Sequence, residues 1–368
     1  MRVLHVYPKH DYFTGAAMQL TDLARGLRER GHHVVVCTRP SAVWETECRR
    51  LGLLHCTLPM RRAVELRSIL GLRRLVSEHG IEIVHAHKGR ARTLALLAGL
   101  AGRRPRLVLN RGVSFPVRRW TRLGYTSRRV DAVVAVCESI KRGLVAAGVP
   151  AAKIDVIYSG TDTERFHPGV DGGAVRRELG LDAADFLVTQ VGVRSWRGWA
   201  DVLDAVTRLA PAAPRLRLLF VGAAPPRVAA LGDLARARGL GGRVLVLGSR
   251  RDIPQILAAS DVVVDASYQG LGITGSIREA LACERPVVAT AVEGMPELVR
   301  DGETGLLVPP RDPAALAAAI RRVLDDPTGA HALARAGRKR VEAHFSLRAK
   351  LDATEALYRH LLDRRARP

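Results

Sequence analysis

Two arginines stand three residues apart in the segment Val191–Gly198, directly after an apolar run with the composition of a buried strand. Fixed cations beside a departing diphosphate neutralise the charge that develops on it. In other enzymes a bound magnesium ion has this role. Arg194 and Arg197 are therefore candidates for binding a diphosphate and for catalysing its departure. The alternative for both side chains is a solvated basic turn.

A loop of small and hydroxyl residues leads into a helical pattern that begins near residue 275. Peptide N–H groups at the start of a helix bind phosphate, so Thr274, Gly275, Ser276 and Ile277 are predicted to contact one. Glu279 follows in the first turn, and a carboxylate accepts hydrogen bonds from both vicinal hydroxyls of a ribose. The alternative for Glu279 is an acid favoured there only by the helix dipole.

Another glycine loop follows the first apolar run, where Gly15 and Ala16 stand directly before an amphipathic helix. The absence of a side chain lets a phosphate approach the positive end of that helix. The loop lacks a GxGxxG pattern, so a glycine that only makes a tight turn is the competing interpretation.

Two histidines, His85 and His87, alternate at the end of a strand and share one of its faces. Such a pair could ligate a metal, but the sequence shows no third ligand. We therefore predict no metal site and interpret His87 as a histidine of the binding cleft.

Basic residues follow this strand and the next one, in a helix and loop on the acceptor side of the expected cleft. They could recognise a phosphorylated or acidic acceptor, or an anionic membrane surface. These residues are Lys88, Arg90, Arg92, Arg111, Arg118 and Arg119.

Short apolar runs alternate with helix-length segments along the chain, which is typical of parallel sheets covered on both faces. In such folds ligands bind beyond the carboxyl ends of the strands, where the loops described above lie. The first series of runs is Val3–Tyr7, Val34–Thr38, Ile81–His87, Leu107–Asn110, Ala132–Val136 and Ile154–Ile157. The second series is Phe186–Val191, Leu216–Val221, Val244–Leu247, Val262–Asp265, Val287–Thr290 and Leu306–Val308.

The composition indicates a folded, soluble protein. The chain has 368 residues, 47% of them hydrophobic. Its start lacks the apolar core of a secretory leader, and its longest apolar run, around Leu94 to Ala101, is far below the ~20 residues of a membrane span, so a cytoplasmic location is expected. Five scattered cysteines suggest neither disulfides nor a zinc ribbon. The formal net charge of +22 indicates either an anionic partner or an arginine-rich coding bias.

Several strings together resemble the family 4 glycosyltransferases with the GT-B fold, over nearly the whole chain. They are Gly31-His32, residues 83–87 (IVHAH), 156–168 (VIYSGTDTERFHP), Arg194 with Arg197, 260–262 (SDV), 278–282 (REALA), 286–290 (PVVAT), 297–299 (ELV) and 301–310 (DGETGLLVPP).

The resemblance implies an α/β fold of two Rossmann-like, doubly wound parallel-sheet domains. Residues 1–165 would bind the acceptor, residues 166–345 would bind the nucleotide sugar, and a helix in residues 346–368 would cross back to the first domain. Gly15, Arg194 and Arg197 would contact the donor diphosphate, and Glu279 would hold the ribose. The activity implied is retaining transfer from a UDP-, GDP- or ADP-sugar, with no divalent metal required.

Three positions depart from the family pattern. The family usually has Lys where Arg197 stands, which keeps the charge but changes its reach. It also has a glutamate eight residues before the second one, where this chain has Leu271, and the nearest polar candidate is Gln269. The histidine expected after the run Leu107–Leu109 is replaced by the stretch Asn110-Arg111-Gly112, from which Arg111 would reach the donor.

The acceptor expected is a hydroxyl of an envelope glycan or of a lipid-linked precursor, such as those of polysaccharide or lipopolysaccharide synthesis, with the protein peripheral on the inner face of the membrane. Two other functions compete. A nucleotide-sugar 2-epimerase needs the same phosphate and ribose contacts, and it converts the donor without an acceptor. A nucleic-acid-binding protein would suit the charge. However, the sequence has no stripe of basic residues with aromatic residues between them, and aromatic residues make up only 4% of the chain, so no specific nucleic acid is expected.

Overall fold

The protein is described by a computed structural model that covers residues 1–12, 14–99, 104–117, 119–269 and 272–366. It forms two compact units, one of Met1–Gly160 with Leu347–Pro368 and one of Thr161–Ser346. The first boundary falls after Gly160 rather than after residue 165, so the segment from Thr161 to Arg165 belongs to the second unit.

The first unit is built on a seven-stranded parallel sheet of order β3-β2-β1-β4-β5-β6-β7. Its strands are β1 (Arg2–Tyr7), β2 (His33–Thr38), β3 (Leu54–Thr57), β4 (Ile83–His87), β5 (Arg106–Arg111), β6 (Ala132–Ala135) and β7 (Ile154–Val156). Its helices in this part of the chain are α1 (Gly15–Glu29), α2 (Ala42–Arg50), α3 (Leu66–Glu78), α4 (Lys88–Ala98), α5 (Arg119–Thr126) and α6 (Glu138–Ala146).

The second unit repeats the plan with a six-stranded parallel sheet of order β10-β9-β8-β11-β12-β13. Its strands are β8 (Phe186–Val191), β9 (Leu216–Val221), β10 (Val244–Leu247), β11 (Val262–Asp265), β12 (Val287–Thr290) and β13 (Leu306–Val308). Its helices are α7 (Gly173–Glu178), α8 (Trp199–Leu209), α9 (Pro225–Ala237), α10 (Ile253–Ala259), α11 (Gly275–Ala282), α12 (Met295–Leu298), α13 (Pro313–Asp325) and α14 (Pro327–Arg340).

The last helix, α15 (Leu347–Ala366), returns to the first unit. Leu351 and Tyr358 of α15 lie in the same apolar core as Leu20 and Leu27 of α1, and Leu351 packs directly over Gly26. The apolar residues of α15 are therefore buried against the first unit. None of the helices in the described part of the chain is both long enough and apolar enough to cross a bilayer.

The two doubly wound parallel sheets predicted from the apolar runs are confirmed. Both central strand pairs are buried because they are covered on two faces, which is why their sequences are continuously apolar. In each sheet the strand order reverses at one point, between β1 and β4 and between β8 and β11. Such a switch point opens a crevice at the carboxyl ends of the strands, and the loops singled out from the sequence lie there.

Candidate diphosphate site

Arg197 lies beyond the carboxyl ends of β8 and β11, at the switch point of the second sheet. Its Nη1 atom is 2.7 Å from Oδ2 of Asp265, the fully buried last residue of β11. Its Nη2 atom donates to the Val191 carbonyl oxygen at 2.6 Å and to the Ser276 hydroxyl at 3.3 Å. One guanidinium therefore joins the ends of two strands to the first turn of α11.

Glycine is required in the loop that carries Arg197. Gly198 has a φ of 61°, and a Cβ atom there would collide with the carbonyl oxygen of Ala266. Gly192 has a φ of 94°, and a Cβ atom there would lie 3.1 Å from Nη2 of Arg197. The loop is thus packed closely against the loop that follows β11, which fixes where the guanidinium lies.

Arg194 is exposed, and its guanidinium lies 5.6 Å from the centre of the Trp196 ring. Arg197 by contrast is largely enclosed, with 11% of its side chain exposed. The two arginines therefore differ in role: Arg194 is accessible to a ligand, whereas Arg197 already contacts protein groups. A phosphate reaching Arg197 would displace its longest contacts, the hydroxyls of Ser276 and Ser267 at 3.3 and 3.5 Å.

The start of α11 offers further polar groups beside Arg197. Thr274 is the residue before the helix, and its buried hydroxyl has no hydrogen-bond partner among the residues that the structure describes. The first peptide N–H groups of any helix have no carbonyl partner within it, which applies here to Gly275, Ser276 and Ile277. This turn combines a hydroxyl, helix N–H groups and a guanidinium, which together suit an anion.

Glu279 is half-buried in the second turn of α11, one turn later than predicted, and its Oε1 atom would lie 3.3 Å from a Cβ atom on Gly275. The neighbouring Arg278 was not among the predicted site residues. It is buried, and its Nε atom donates to the Thr161 hydroxyl at 3.3 Å. Burial lowers the pKa of Arg278 to about 10, so the side chain still carries its charge at neutral pH.

Gln269 is exposed in the loop after β11. Leu271, which occupies the position of the family's first glutamate, lies outside the described residues. The structure therefore adds no contact to the hypothesis that Gln269 replaces that glutamate.

In the first unit, Gly15 opens α1 at the switch point of its own sheet. Its φ is not positive, and a Cβ atom there would meet no heavy atom of the described residues within 4 Å. The backbone at Gly15 therefore does not require glycine, and the structure gives the tight-turn interpretation no support. Thr14 caps the helix by accepting from the Ala17 amide at 3.3 Å, and Ala16 is half-buried.

The predicted cleft histidine, His87, is instead buried, with 7% of its surface exposed. Its Nε2 atom lies 3.1 Å from Nδ1 of His5 on β1. The pKa of His87 is held well below its usual range, first by burial and then by the neighbouring charges. It is therefore a neutral side chain of the interior, and the interpretation of it as a cleft residue is corrected.

The predicted acceptor residues are not equivalent. Arg92 is buried, with its guanidinium 4.5 Å from the centre of the Tyr125 ring, so it packs α4 against α5 rather than facing an acceptor. Arg90 donates to the Met60 carbonyl oxygen at 2.8 Å. Lys88 is exposed and has a φ of 75°, a strained conformation for a residue with a side chain.

Arg111 donates from Nη2 to the carbonyl oxygen of Phe115 in its own loop. Arg118 lies outside the described residues. Of the predicted acceptor residues whose side chains are described, Lys88 is the one that is exposed, whereas Arg90 and Arg111 are half-buried and Arg92 is buried.

Two family models match the chain, one over each half. Residues 13–165 match the model described as Glycosyltransferase Family 4, and residues 186–326 match the model described as Glycosyl transferases group 1.

Curated relatives match over part of their length. A D-inositol 3-phosphate glycosyltransferase of Mycobacterium sp. (strain KMS) is 39% identical over 171 residues, which are 44% of this chain and 37% of the relative. The alpha-maltose-1-phosphate synthase of Mycolicibacterium smegmatis is 33% identical over 248 residues, 62% of this chain and 63% of the relative. The chain thus spans well under half of the length of the first of these relatives.

A solved structure shares the fold. The crystal structure of Anabaena HepE in complex with UDP and glucose superimposes with a TM-score of 0.86 at 22% identity, covering 97% of this chain and 99% of that one. At this identity the likeness establishes the architecture.

Proposed function

Since the chain belongs to the family 4 glycosyltransferases of the GT-B fold, we propose that it transfers a sugar from a nucleoside diphosphate sugar to an acceptor hydroxyl, with retention of anomeric configuration. The observation that carries the proposal is the joining of Arg197, the Thr274 hydroxyl and the start of α11 at one switch point. These groups would bind the diphosphate, and Glu279 would accept hydrogen bonds from the ribose hydroxyls.

The reaction proposed is a front-face displacement. The bond between the anomeric carbon and the diphosphate oxygen breaks while the acceptor oxygen bonds to the same face of the sugar, and the acceptor proton passes to the leaving phosphate. Arg194 and the N–H groups of α11 stabilise the charge on that phosphate. The buried Asp265 carboxylate is already paired with Arg197, so we assign it no nucleophilic role.

The donor is tested first with UDP-glucose, because the Anabaena protein of the same fold was solved with UDP and glucose. GDP- and ADP-sugars complete the panel. If the protein is a transferase, it should release one nucleoside diphosphate for each acceptor molecule that receives a sugar. Conversion of the donor sugar without any acceptor would instead identify the 2-epimerase reaction.

Replacing Glu279 by glutamine tests the ribose contact. Hydrogen bonds to a charged group contribute about 1.5–3 kcal/mol, so Glu279→Gln should weaken binding of the nucleoside diphosphate by about 10-fold to 100-fold in calorimetric titration. Glu303→Gln is the matched control, since Glu303 is an exposed acid of the same unit, 66% exposed, and should leave the affinity unchanged. Equal affinities for the wild type and Glu279→Gln would refute the assignment.

We also propose that the fixed cations replace a catalytic divalent metal at the diphosphate. Turnover should then be the same in excess EDTA as with added Mg²⁺. Loss of turnover in EDTA followed by recovery on adding Mg²⁺ would overturn this part of the proposal.

The acceptor proposed is an envelope glycan or lipid-linked precursor, reached from a membrane surface. Supporting this, the segment of residues 61–70 exposes apolar and basic side chains together. Val64 and Leu66 are each 68% exposed and Leu70 is 50% exposed, beside exposed Arg61 and Arg67. Such a surface suits anionic lipid. Leu66→Ser with Leu70→Ser should reduce sedimentation with phosphatidylglycerol vesicles, and undiminished sedimentation would argue against this surface.

A further inference from the structure

Three histidines converge inside the first unit, away from any group used in the proposed transfer. His5 on β1 pairs in register with His85 on the neighbouring strand β4, and His87 follows two residues along β4. Because side chains alternate along a strand, all three imidazoles lie on one face of the sheet. They are 0, 2 and 7% exposed, and one ligand nitrogen of each lies within 4.8 Å of those of the other two.

The spacing of the three rings suits a single ion. Imidazole nitrogens bind Zn²⁺ at about 2.0–2.1 Å, so two of them on one tetrahedral ion are about 3.3 Å apart. His5 Nδ1 and His87 Nε2 are 3.1 Å apart. The ring centre of His5 lies 5.4 Å from the ring centre of His85 and 5.4 Å from that of His87. The ring centres of His85 and His87 are 4.4 Å apart. Small rotations of the rings would direct three nitrogens at one point.

The hydrogen bond of His85 also favours a metal. Nδ1 of His85 lies 2.6 Å from the Tyr358 hydroxyl, and this contact fixes the ring and leaves Nε2 as its ligand atom.

The nitrogen that His85 would offer to the ion lacks the partner that a buried polar atom normally has. The Nε2 atom of His85 is buried, and within the described ranges it has no hydrogen-bond partner. A buried nitrogen without a partner costs folding free energy, which coordination to an ion would recover.

We propose that His5, His85 and His87 bind one Zn²⁺ ion, or a similar cation such as Co²⁺, in the interior of the first unit. The described residues supply three ligands, so a water molecule would take the fourth position. The ion would tie β1 to β4 and, through His85 and Tyr358, to α15. The proposal is independent of the transfer reaction, since its residues are in the first unit and the proposed diphosphate site is in the second.

The test uses the full chain without an affinity tag, refolded from urea in the presence of Co²⁺. We expect one Co²⁺ per chain and the visible d–d absorption of a tetrahedral site, with Zn²⁺ displacing the colour. His5→Gln and His85→Gln should each abolish the absorption. His33→Gln is the matched control and should keep it, because His33 and His79 form a histidine pair with ring centres 5.6 Å apart in the same unit.

Lys350 provides a second variant whose effect runs in the opposite direction. Its positive charge acts on all three rings and opposes a cation, so Lys350→Met should tighten Co²⁺ binding several-fold. Colourless wild-type protein after refolding in Co²⁺, or colour that survives His5→Gln, would overturn the proposal.

Should the histidine variants fail to fold, imidazole ¹⁵N resonances of the wild type give the answer instead. Addition of Zn²⁺ is expected to shift the resonances of three histidines together. If none of the twelve histidines of the chain moves, the site does not exist.

Discussion

Asp265 holds Arg197 in place, and the sequence alone does not suggest this pairing because the two residues are far apart along the chain. The carboxylate is fully buried, and its partner is largely enclosed. Breaking such a pair leaves an uncompensated charge inside the protein, which typically costs 3–5 kcal/mol. Asp265 is therefore expected to act as a positioning residue, orienting a guanidinium that the donor would contact.

Replacing Asp265 by asparagine should lower the free energy of unfolding of the second unit by about 3 kcal/mol in urea titrations. The same change should weaken donor binding, because the guanidinium is no longer fixed. Asp325→Asn removes the partner of Arg321 in a pair that is 54% and 42% exposed, and it should cost under about 0.5 kcal/mol. If Asp265→Asn and Asp325→Asn lowered the free energy of unfolding by similar amounts, burial of the Asp265–Arg197 pair would not contribute to stability.

Helix α11 depends on a close approach by α14. A Cβ atom on Gly337 would lie 2.5 Å from Cδ2 of Leu281 and 2.9 Å from the carbonyl oxygen of Thr304. The backbone oxygen cannot move as a flexible side chain would, so Gly337→Ala must push α14 away from Thr304, and the Leu281 side chain of α11 must shift to make room. Overpacking of this kind typically costs 1–3 kcal/mol.

We expect Gly337→Ala to lower the thermal unfolding temperature and to weaken diphosphate binding, since α11 carries the N–H groups at the candidate site. Gly143→Ala is the control, because Gly143 is also helical and a Cβ atom there would meet none of the described residues within 4 Å. That variant should be neutral or slightly stabilising, as alanine has the higher helix propensity. Unchanged stability and binding in Gly337→Ala would mean that α14 adapts without moving α11.

Glu355 connects α15 to the rest of the first unit. It accepts hydrogen bonds from His32 at 2.8 Å and from Arg30 at 2.9 Å, and 9% of its side chain is exposed. Burial opposes its charged form, but the contacts with His32 and Arg30 outweigh it and lower the pKa of Glu355. A carboxylate with a lowered folded-state pKa adds stability above its unfolded-state pKa, and that stability is lost as the pH falls through the folded-state value.

The first unit should accordingly lose stability as the pH falls below about 5 and Glu355 becomes protonated. Glu355→Gln should be less stable at neutral pH and should show a smaller decrease as the pH falls, measured by urea unfolding at each pH. A decrease as steep as that of the wild type would assign the acid sensitivity to other groups.

The sequence predicted most elements because continuous apolar runs identify strands covered on both faces. It missed β3, Leu54–Thr57, which is an edge strand with partly exposed side chains and so lacks such a run. It also missed His5, a single histidine within an apolar strand whose significance depends on its register with His85. Contacts of this kind arise from strand pairing, which a single sequence does not specify.

The whole molecule consists of one continuous unit inserted into a discontinuous one. Thr161 and Ser346 form a bridge, and the Thr161 amide donates to the Phe345 carbonyl oxygen at 2.8 Å, so the second unit begins and ends at adjacent residues. The first unit is completed only when α15 covers the core that includes Leu20 and Leu27. Two units with separate cores should fold separately if each keeps all of its elements.

A fragment of residues 161–346 is therefore expected to unfold cooperatively and to bind a nucleoside diphosphate through the α11 site. A fragment that stops at Gly160 lacks α15, exposes part of an apolar core and should aggregate or bind the dye ANS. Joining Gly160 to Leu347 by a short glycine-serine linker restores that helix and should restore cooperative unfolding. The fragment that stops at Gly160 and the linked fragment share residues 1–160, so a difference in their stability measures the contribution of α15. Equal stability of these two fragments would show that α15 is dispensable for the first unit.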